Sequence, residues 1–169
     1  PLRRILKLYS VERNGLNTAD VDDVIAGCGT QSGKQGSCIA RMAALDAGYS
    51  VEAPGLSLDR FCGSGLTAVN LAAMGVMSGA QDLVIAGGVE SMSHGSTLKR
   101  QAGPTLDSLT THLRAIHPQP HQGVCGDVVA TLEGFTREDV DKLAVESQRR
   151  AAHALANGYF SKSLLPVYN

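Results

Sequence analysis

"LDRFCGSGLTAVNLAAMGVMSGAQDLVIAGGVESMS", residues Leu58 to Ser93, decides the fold. A short alternating run ends at a cysteine, a long stretch without charge follows as far as Gln81, and Asp82 opens a second apolar run. From Cys62 to Ala80 the only polar side chains are Ser64, Thr67, Asn70 and Ser78, so the segment reads as a helix apolar on nearly every face and buried all round. "DLVIAGGVE" reads as a strand buried on both faces. Strand, helix, strand in this order predicts a crossover connection and a parallel sheet. The helix also has the length and apolarity of a membrane span, but Gly and Ala dominate it and its flanks are those of a soluble α/β unit.

Outward from this core the same texture continues. Leu2, Ile5, Leu6 and Leu8 mark an opening amphipathic helix, Asn14-Gly15 a turn, Thr18 the cap of a helical turn, and Asp23 to Cys28 a strand. "QSGKQGS" is a glycine-punctuated loop, "CIARMAALDAG" a helix closed by Gly48, and "PGLSLDR" a short strand. Beyond Ser93 the stretch from His94 to Gly123 holds three prolines and four histidines with little periodicity and reads as a surface excursion. Two helices follow, the second opened by a capping box at Thr136 and Asp139 and ended by Gly158; "SKSLLPVYN" reads as a strand. The expected organisation is residues 1–93 as one α/β half and 94–169 as an incomplete second domain. The chain opens inside an amphipathic pattern without an initiator Met, and is expected to be a piece of something longer.

Composition narrows the function classes. In 169 residues, 15 basic and 16 acidic side chains give a net charge of -1 with no basic block, which argues against nucleic acid as a partner. Aromatics at 4% and 19 glycines describe a core of small aliphatic residues with close backbone approaches. Cys28, Cys38, Cys62 and Cys125 show neither metal-ligand spacing nor a disulfide framework, so no metal is expected and a reducing compartment is favoured.

Cys62 stands at the strand-to-helix junction. A cysteine at a helix N-terminus sits among unpaired N–H groups at the positive end of the macrodipole, and both favour thiolate over thiol. Gly63 and Gly65 would open an approach for a carbonyl, and backbone N–H groups of the turn would receive a developing oxyanion. That suits nucleophilic attack on an acyl group; the bland alternative is a buried small hydrophobe. Cys28, Cys38 and Cys125 are expected to be packing residues, the last two on helices.

"RFCGSGL" followed after a helix by "DLVIAGGVESMS" resembles the signature of the thiolases, the acetyl-CoA acyltransferases. The likeness extends to "VDDVIAGC", "ARMAALDAG" and "TREDVDKLAVESQRRA", the last similar to a helix of the family's loop domain. The resemblance implies a layered αβαβα thiolase-like fold, present as its N-terminal half without the first strand, and part of the loop domain. It implies Cys62 as the nucleophile that is acylated, its N–H as one oxyanion donor, and Gly63, Ser64 and Gly65 as the turn behind it. Ile85 to Gly88 would support the nucleophile, and Glu90 to Ser93 would lead into the loop domain in a structural role. It further implies acyl-CoA and coenzyme A as substrates, no cofactor, no membrane or nucleic-acid partner, a homodimer or homotetramer with tetramer contacts in the 95–123 excursion, and a cytoplasmic or organellar location. Residues that hold coenzyme A are not legible.

Two departures from the family stand out. Cys38 occupies a position where the family usually has Asn, so a dimer-contact hydrogen bond is expected to change. The family's activating histidine and second cysteine belong to its C-terminal half, and none of His94, His112, His117, His121 or His153 sits in a motif like that histidine's. Two further readings stay open: a non-catalytic relative or truncated piece serving as an interaction scaffold, and a ketosynthase-type condensing enzyme, whose cysteine is framed by Ala and Ser instead.

Overall fold

The computed structural model describes residues 2–95 and 110–167. It divides into two compact units, Pro1–Lys99 with Leu165–Asn169, and Arg100–Leu164. The first unit carries a three-stranded sheet of β1 (Asp23–Gly27), β2 (Gly55–Leu58) and β3 (Val84–Gly88) in the order β2-β1-β3. Both pairings are parallel, with Ile25 opposite Leu56 on one side and Ala86 on the other. Helix α1 (Leu2–Ile5) continues as a π-helical stretch over Leu6–Glu12. Helices α2 (Ile39–Asp46) and α3 (Ser64–Met77) make the two crossovers.

The central strand explains the layering. Its side chains alternate, so Val24 and Ala26 enter one cluster with Leu2 and Leu6 of the N-terminal helix and Ala40, Ala43 and Ala44 of α2. Ile25 points the other way, into a second cluster with Ala68 and Ala72 of α3. One strand feeding two cores makes the three layers, helix, sheet, helix. Alanine at the contact positions brings the helices close, and glycine brings them closer still. A Cβ on Gly55 would lie 2.6 Å from the Arg41 Cα.

Several sequence expectations are corrected. Helix α3 is not buried all round: Ser64, Ala68 and Ala72 are its buried residues, while Leu66, Val69, Met74 and Met77 face outward because the sheet covers one side of it. Nor is β3 buried on both faces, being a half-buried edge strand beside a cavity of about 320 Å³ lined by α1 and β1 residues as well. Asn17, rather than Thr18, caps the turn Thr18–Asp20 by accepting from the Ala19 N–H, and the Thr18 hydroxyl accepts from the Ser50 N–H instead. Ser163 closes a turn, and residues 164–167 form no strand.

The excursion holds two short helices, α4 (Met92–Gly95) and α5 (Thr111–Ile116), while the part of it between 96 and 109 lies outside the described residues. In the second unit α6 (Gln122–Glu133) ends at the left-handed Gly134 and α7 (Arg137–Ala156) begins at the expected capping box, with both reciprocal bonds made. Neither α6 nor α7 has a buried residue.

Candidate active site

The parallel sheet directs the carboxyl ends of its three strands to one edge, where α/β folds commonly bind ligands. Helix α3 starts on that edge because two strands end in glycine. A Cβ on Gly27 would lie 2.3 Å from the Ser64 carbonyl carbon, and one on Gly88 would lie 3.4 Å from the Gly65 Cα. The first turn of α3 therefore rests on bare backbone, and Cys62 is held just above it.

The turn itself is closed by Ser64. Its hydroxyl donates to the Phe61 carbonyl at 2.6 Å and accepts from the Arg60 N–H at 2.8 Å, which satisfies a side chain only 4% exposed. The Gly63 and Ser64 N–H groups donate to the Arg60 and Phe61 carbonyls, both at 3.1 Å. Among the described residues no hydrogen bond engages the Cys62 N–H, and the Cys62 side chain is exposed. A free thiol and an amide with no hydrogen bond among the described residues thus stand together at the head of a helix, an arrangement that can attack a carbonyl and receive its oxygen.

The two glycines differ in what they do. Gly63 caps the helix at φ -88° and ψ 1°. Gly65 lies inside the first turn of α3, and a Cβ there would meet nothing within 4 Å. Its missing side chain leaves open space at the first turn of α3.

At the same edge lies a polar network built on Glu90, a residue that sequence reading gave only a structural role on the way to the loop domain. Glu90, two residues past β3, accepts from the Gly29 and Thr30 N–H groups at 2.9 and 3.1 Å through one oxygen. Its other oxygen accepts from the Gln35 side-chain amide at 2.9 Å. Gln35 is buried, donates also to the Thr30 carbonyl at 3.0 Å, and accepts from the Ser91 N–H. The Gln35 amide, opposed by a little burial and helped by the Thr30 and Gly29 donors, holds the Glu90 carboxyl below the usual glutamate value. An acid directly after a strand-ending Gly-Gly is the sequence signal that could have drawn attention to it.

The other thiols sit differently. Cys28 is buried and donates to the Thr30 carbonyl at 3.6 Å; burial pushes it up, against that hydrogen bond, and the Glu90 and Asp59 carboxylates add to the rise. Cys38 is not within a helix but caps α2 in the left-handed region at φ 57°, donating to the Gly55 carbonyl at 3.3 Å. Cys125 lies on α6 and is exposed, so it is no packing residue. The His94 Nε2 accepts from the Lys34 N–H at 3.2 Å, and among the described residues no histidine is hydrogen-bonded to Cys62. A cavity of about 410 Å³, lined by Leu2, Lys34, Gln35, Ile39, Val89 and His94 among others, lies beside the network, and Cys62 is not in its lining. No helix among the described residues is long and apolar enough to cross a membrane.

The family model for the thiolase N-terminal domain matches residues 2–169. The chain belongs to the thiolase family. This thiolase chain is 41% identical over 171 aligned positions to a beta-ketoadipyl-CoA thiolase of Acinetobacter baylyi, covering 93% of the chain and 43% of that protein. It is 37% identical over 182 positions to a 3-oxoadipyl-CoA/3-oxo-5,6-dehydrosuberyl-CoA thiolase of Escherichia coli, covering 99% and 44%. With a probable acetyl-CoA acyltransferase of Staphylococcus aureus it shares 34% over 168 positions, covering 94% and 42%. The crystal structure of the Bacillus anthracis acetyl-CoA acetyltransferase superposes with a TM-score of 0.75 at 30% identity, over 100% of this chain and 46% of that one. The chain therefore spans less than half the length of these relatives. The α/β, parallel-sheet reading and the thiolase resemblance both hold.

Proposed function

We propose that the complete protein carrying this chain is an acyl-CoA:acetyl-CoA C-acyltransferase with Cys62 as its acyl-accepting nucleophile. The observation that carries this is the exposed Cys62 thiol at the helix head, beside its own N–H, which makes no hydrogen bond among the described residues, in a chain of the thiolase family. The Cys62 sulfur attacks the carbonyl carbon of an acyl-CoA, the oxyanion forms against the Cys62 N–H, and collapse expels coenzyme A thiolate to leave an acyl-cysteine. A second CoA thioester, deprotonated at its α-carbon, then attacks the acyl carbonyl and expels the Cys62 thiolate, giving a 3-ketoacyl-CoA. Run backwards, coenzyme A cleaves the ketoacyl-CoA. The base for the α-proton comes from outside this chain.

CoA thioesters serve as substrates and no cofactor takes part. The role falls within fatty acid or other lipid metabolism, and the names of two relatives make a 3-oxodicarboxylyl-CoA a substrate worth testing beside acetoacetyl-CoA. Four free cysteines suit a reducing compartment such as the cytoplasm, and the assembly is at least a dimer. The test is to mix the complete protein with acetyl-CoA, quench, and map the acetyl group by mass spectrometry. We expect stoichiometric acetylation of Cys62, and loss of both acetylation and thiolysis in Cys62→Ala. Thiolysis that survives Cys62→Ala would overturn the assignment, and a protein that is never acetylated would favour the scaffold reading.

A further inference from the structure

We propose that Asp59 is a positioning residue for the nucleophile, holding Phe61 in the left-handed conformation that presents Cys62; this rests on the acyl-transfer reading above. Phe61 has φ 49°, a region where a bulky L-residue is an outlier. Such conformations persist only when their surroundings over-determine them, and they concentrate at active sites. Packing of the ring is not what imposes it here, since Phe61 is 74% exposed.

Hydrogen bonds on both sides of the residue do. The Asp59 carboxylate accepts from the Phe61 N–H at 2.7 Å, short as expected for a charge-assisted bond. The Phe61 carbonyl accepts from the Ser64 hydroxyl and N–H. Ser64 acts on the carbonyl side of Phe61, so on its N–H side Asp59 makes the hydrogen bond found among the described residues. Among the described residues that carboxylate makes no other hydrogen bond. It also stands over the end of β1, for a Cβ on Gly29 would lie 3.9 Å from the Asp59 Oδ1 and 3.2 Å from the Glu90 Oε2. The two carboxylates, Asp59 just past β2 and Glu90 two residues past β3, thus flank Gly29, two residues past β1.

The consequence concerns Cys62. If Phe61 relaxed to a right-handed or extended conformation, the peptide joining it to Cys62 would swing, and the thiol and its N–H would no longer meet one carbonyl group. Losing this arrangement should slow acyl transfer while leaving the thiol accessible. What the position requires is an acceptor for one N–H, which a side-chain amide oxygen also supplies.

The test uses the full-length protein and the variants Asp59→Ala, Asp59→Asn, Phe61→Gly and Asp59→Ala/Phe61→Gly. Glycine adopts positive φ without cost from a side chain, so it removes the need for the brace. In Asp59→Ala we expect single-turnover acetylation of Cys62 by acetyl-CoA to slow roughly 10- to 100-fold, while alkylation by iodoacetamide changes less than about threefold. Exchange of the Phe61 amide hydrogen should accelerate about tenfold or more in the same variant. Asp59→Asn should recover both to within about threefold of wild type.

Acetylation at the wild-type rate in Asp59→Ala would overturn the proposal. So would a loss of about tenfold or more on removing Asp59 in the Phe61→Gly background, a comparison that serves if Asp59→Ala alone does not fold. If the wild-type protein is not acetylated at all, the acyl-transfer reading fails. Amide exchange then still decides the brace: equal rates in Asp59→Ala and Asp59→Asn would remove it.

Discussion

Glu90 is a carboxylate whose three hydrogen-bonding partners lie 55 to 61 residues away in sequence. It joins the exit of β3 to the loop after β1 through Gly29, Thr30 and Gln35. Those donors favour its ionised form and lower its folded-state pKa. The sign follows from linkage: a depressed pKa contributes stability that is fully present above the unfolded glutamate value, near 4.5, and is lost as pH falls through the lower folded one. Melting temperature followed downward from pH 6 should therefore fall more steeply below that value in the wild type than in Glu90→Gln. Parallel curves for the two proteins would show that the carboxylate is not the coupling group. The carboxylate is largely exposed, so the difference should be modest and should shrink in salt.

At the scale of elements, two glycines at the same junction should respond oppositely to alanine. Gly27 has no room, because its Cβ would meet the backbone of Ser64 and Gly65, which cannot yield like a flexible side chain. We expect Gly27→Ala to push α3 off β1 and cost about 1–3 kcal/mol or more by overpacking. Gly65 has open space in front of it and sits in a helix, where alanine is favoured by about 1 kcal/mol. Gly65→Ala should keep or raise stability in urea titrations, yet slow acetylation of Cys62 by occupying the open space at the first turn of α3. A Gly65→Ala protein that is both stable and fully active would show that the space serves no substrate.

For the whole molecule the uncovered apolar surface is the controlling feature. α3 turns Leu66, Val69, Met74 and Met77 outward, with Met77 86% exposed, and α6 and α7 leave Val128, Leu132, Leu143 and Val145 exposed. Contiguous apolar faces of this kind mark interaction surfaces or aggregation liabilities. Expressed as residues 1–169, the chain should associate in a concentration-dependent manner in sedimentation runs. Replacing Val69 and Met77 by Lys should reduce the association without unfolding the sheet, since neither residue belongs to the two core clusters. A monodisperse monomer at tens of micromolar, where standard interfaces would be populated, would contradict this.

Much of the fold was legible because its signals are local. The alternation in Leu56 and Leu58, the helix-ending glycines Gly48 and Gly158, and the reciprocal pair Thr136 and Asp139 each depend on neighbours a few residues apart. So did the placing of Cys62 at a helix head, since a strand-like run, a Cys-Gly step and a helical stretch are adjacent in sequence. Burial was misread on α3 and β3, because an apolar segment states what it could bury and not what is there to cover it. The left-handed brace of Phe61 is local, made two and three residues away, and went unread because no residue type in it announces a positive φ. The strand order β2-β1-β3 was decided by tertiary structure. So was the Glu90 clamp, whose partners lie up to 61 residues away. Local periodicity and capping are written into adjacent residues, whereas a hydrogen bond across two loops exists only once parallel strands have brought their carboxyl ends to the same edge.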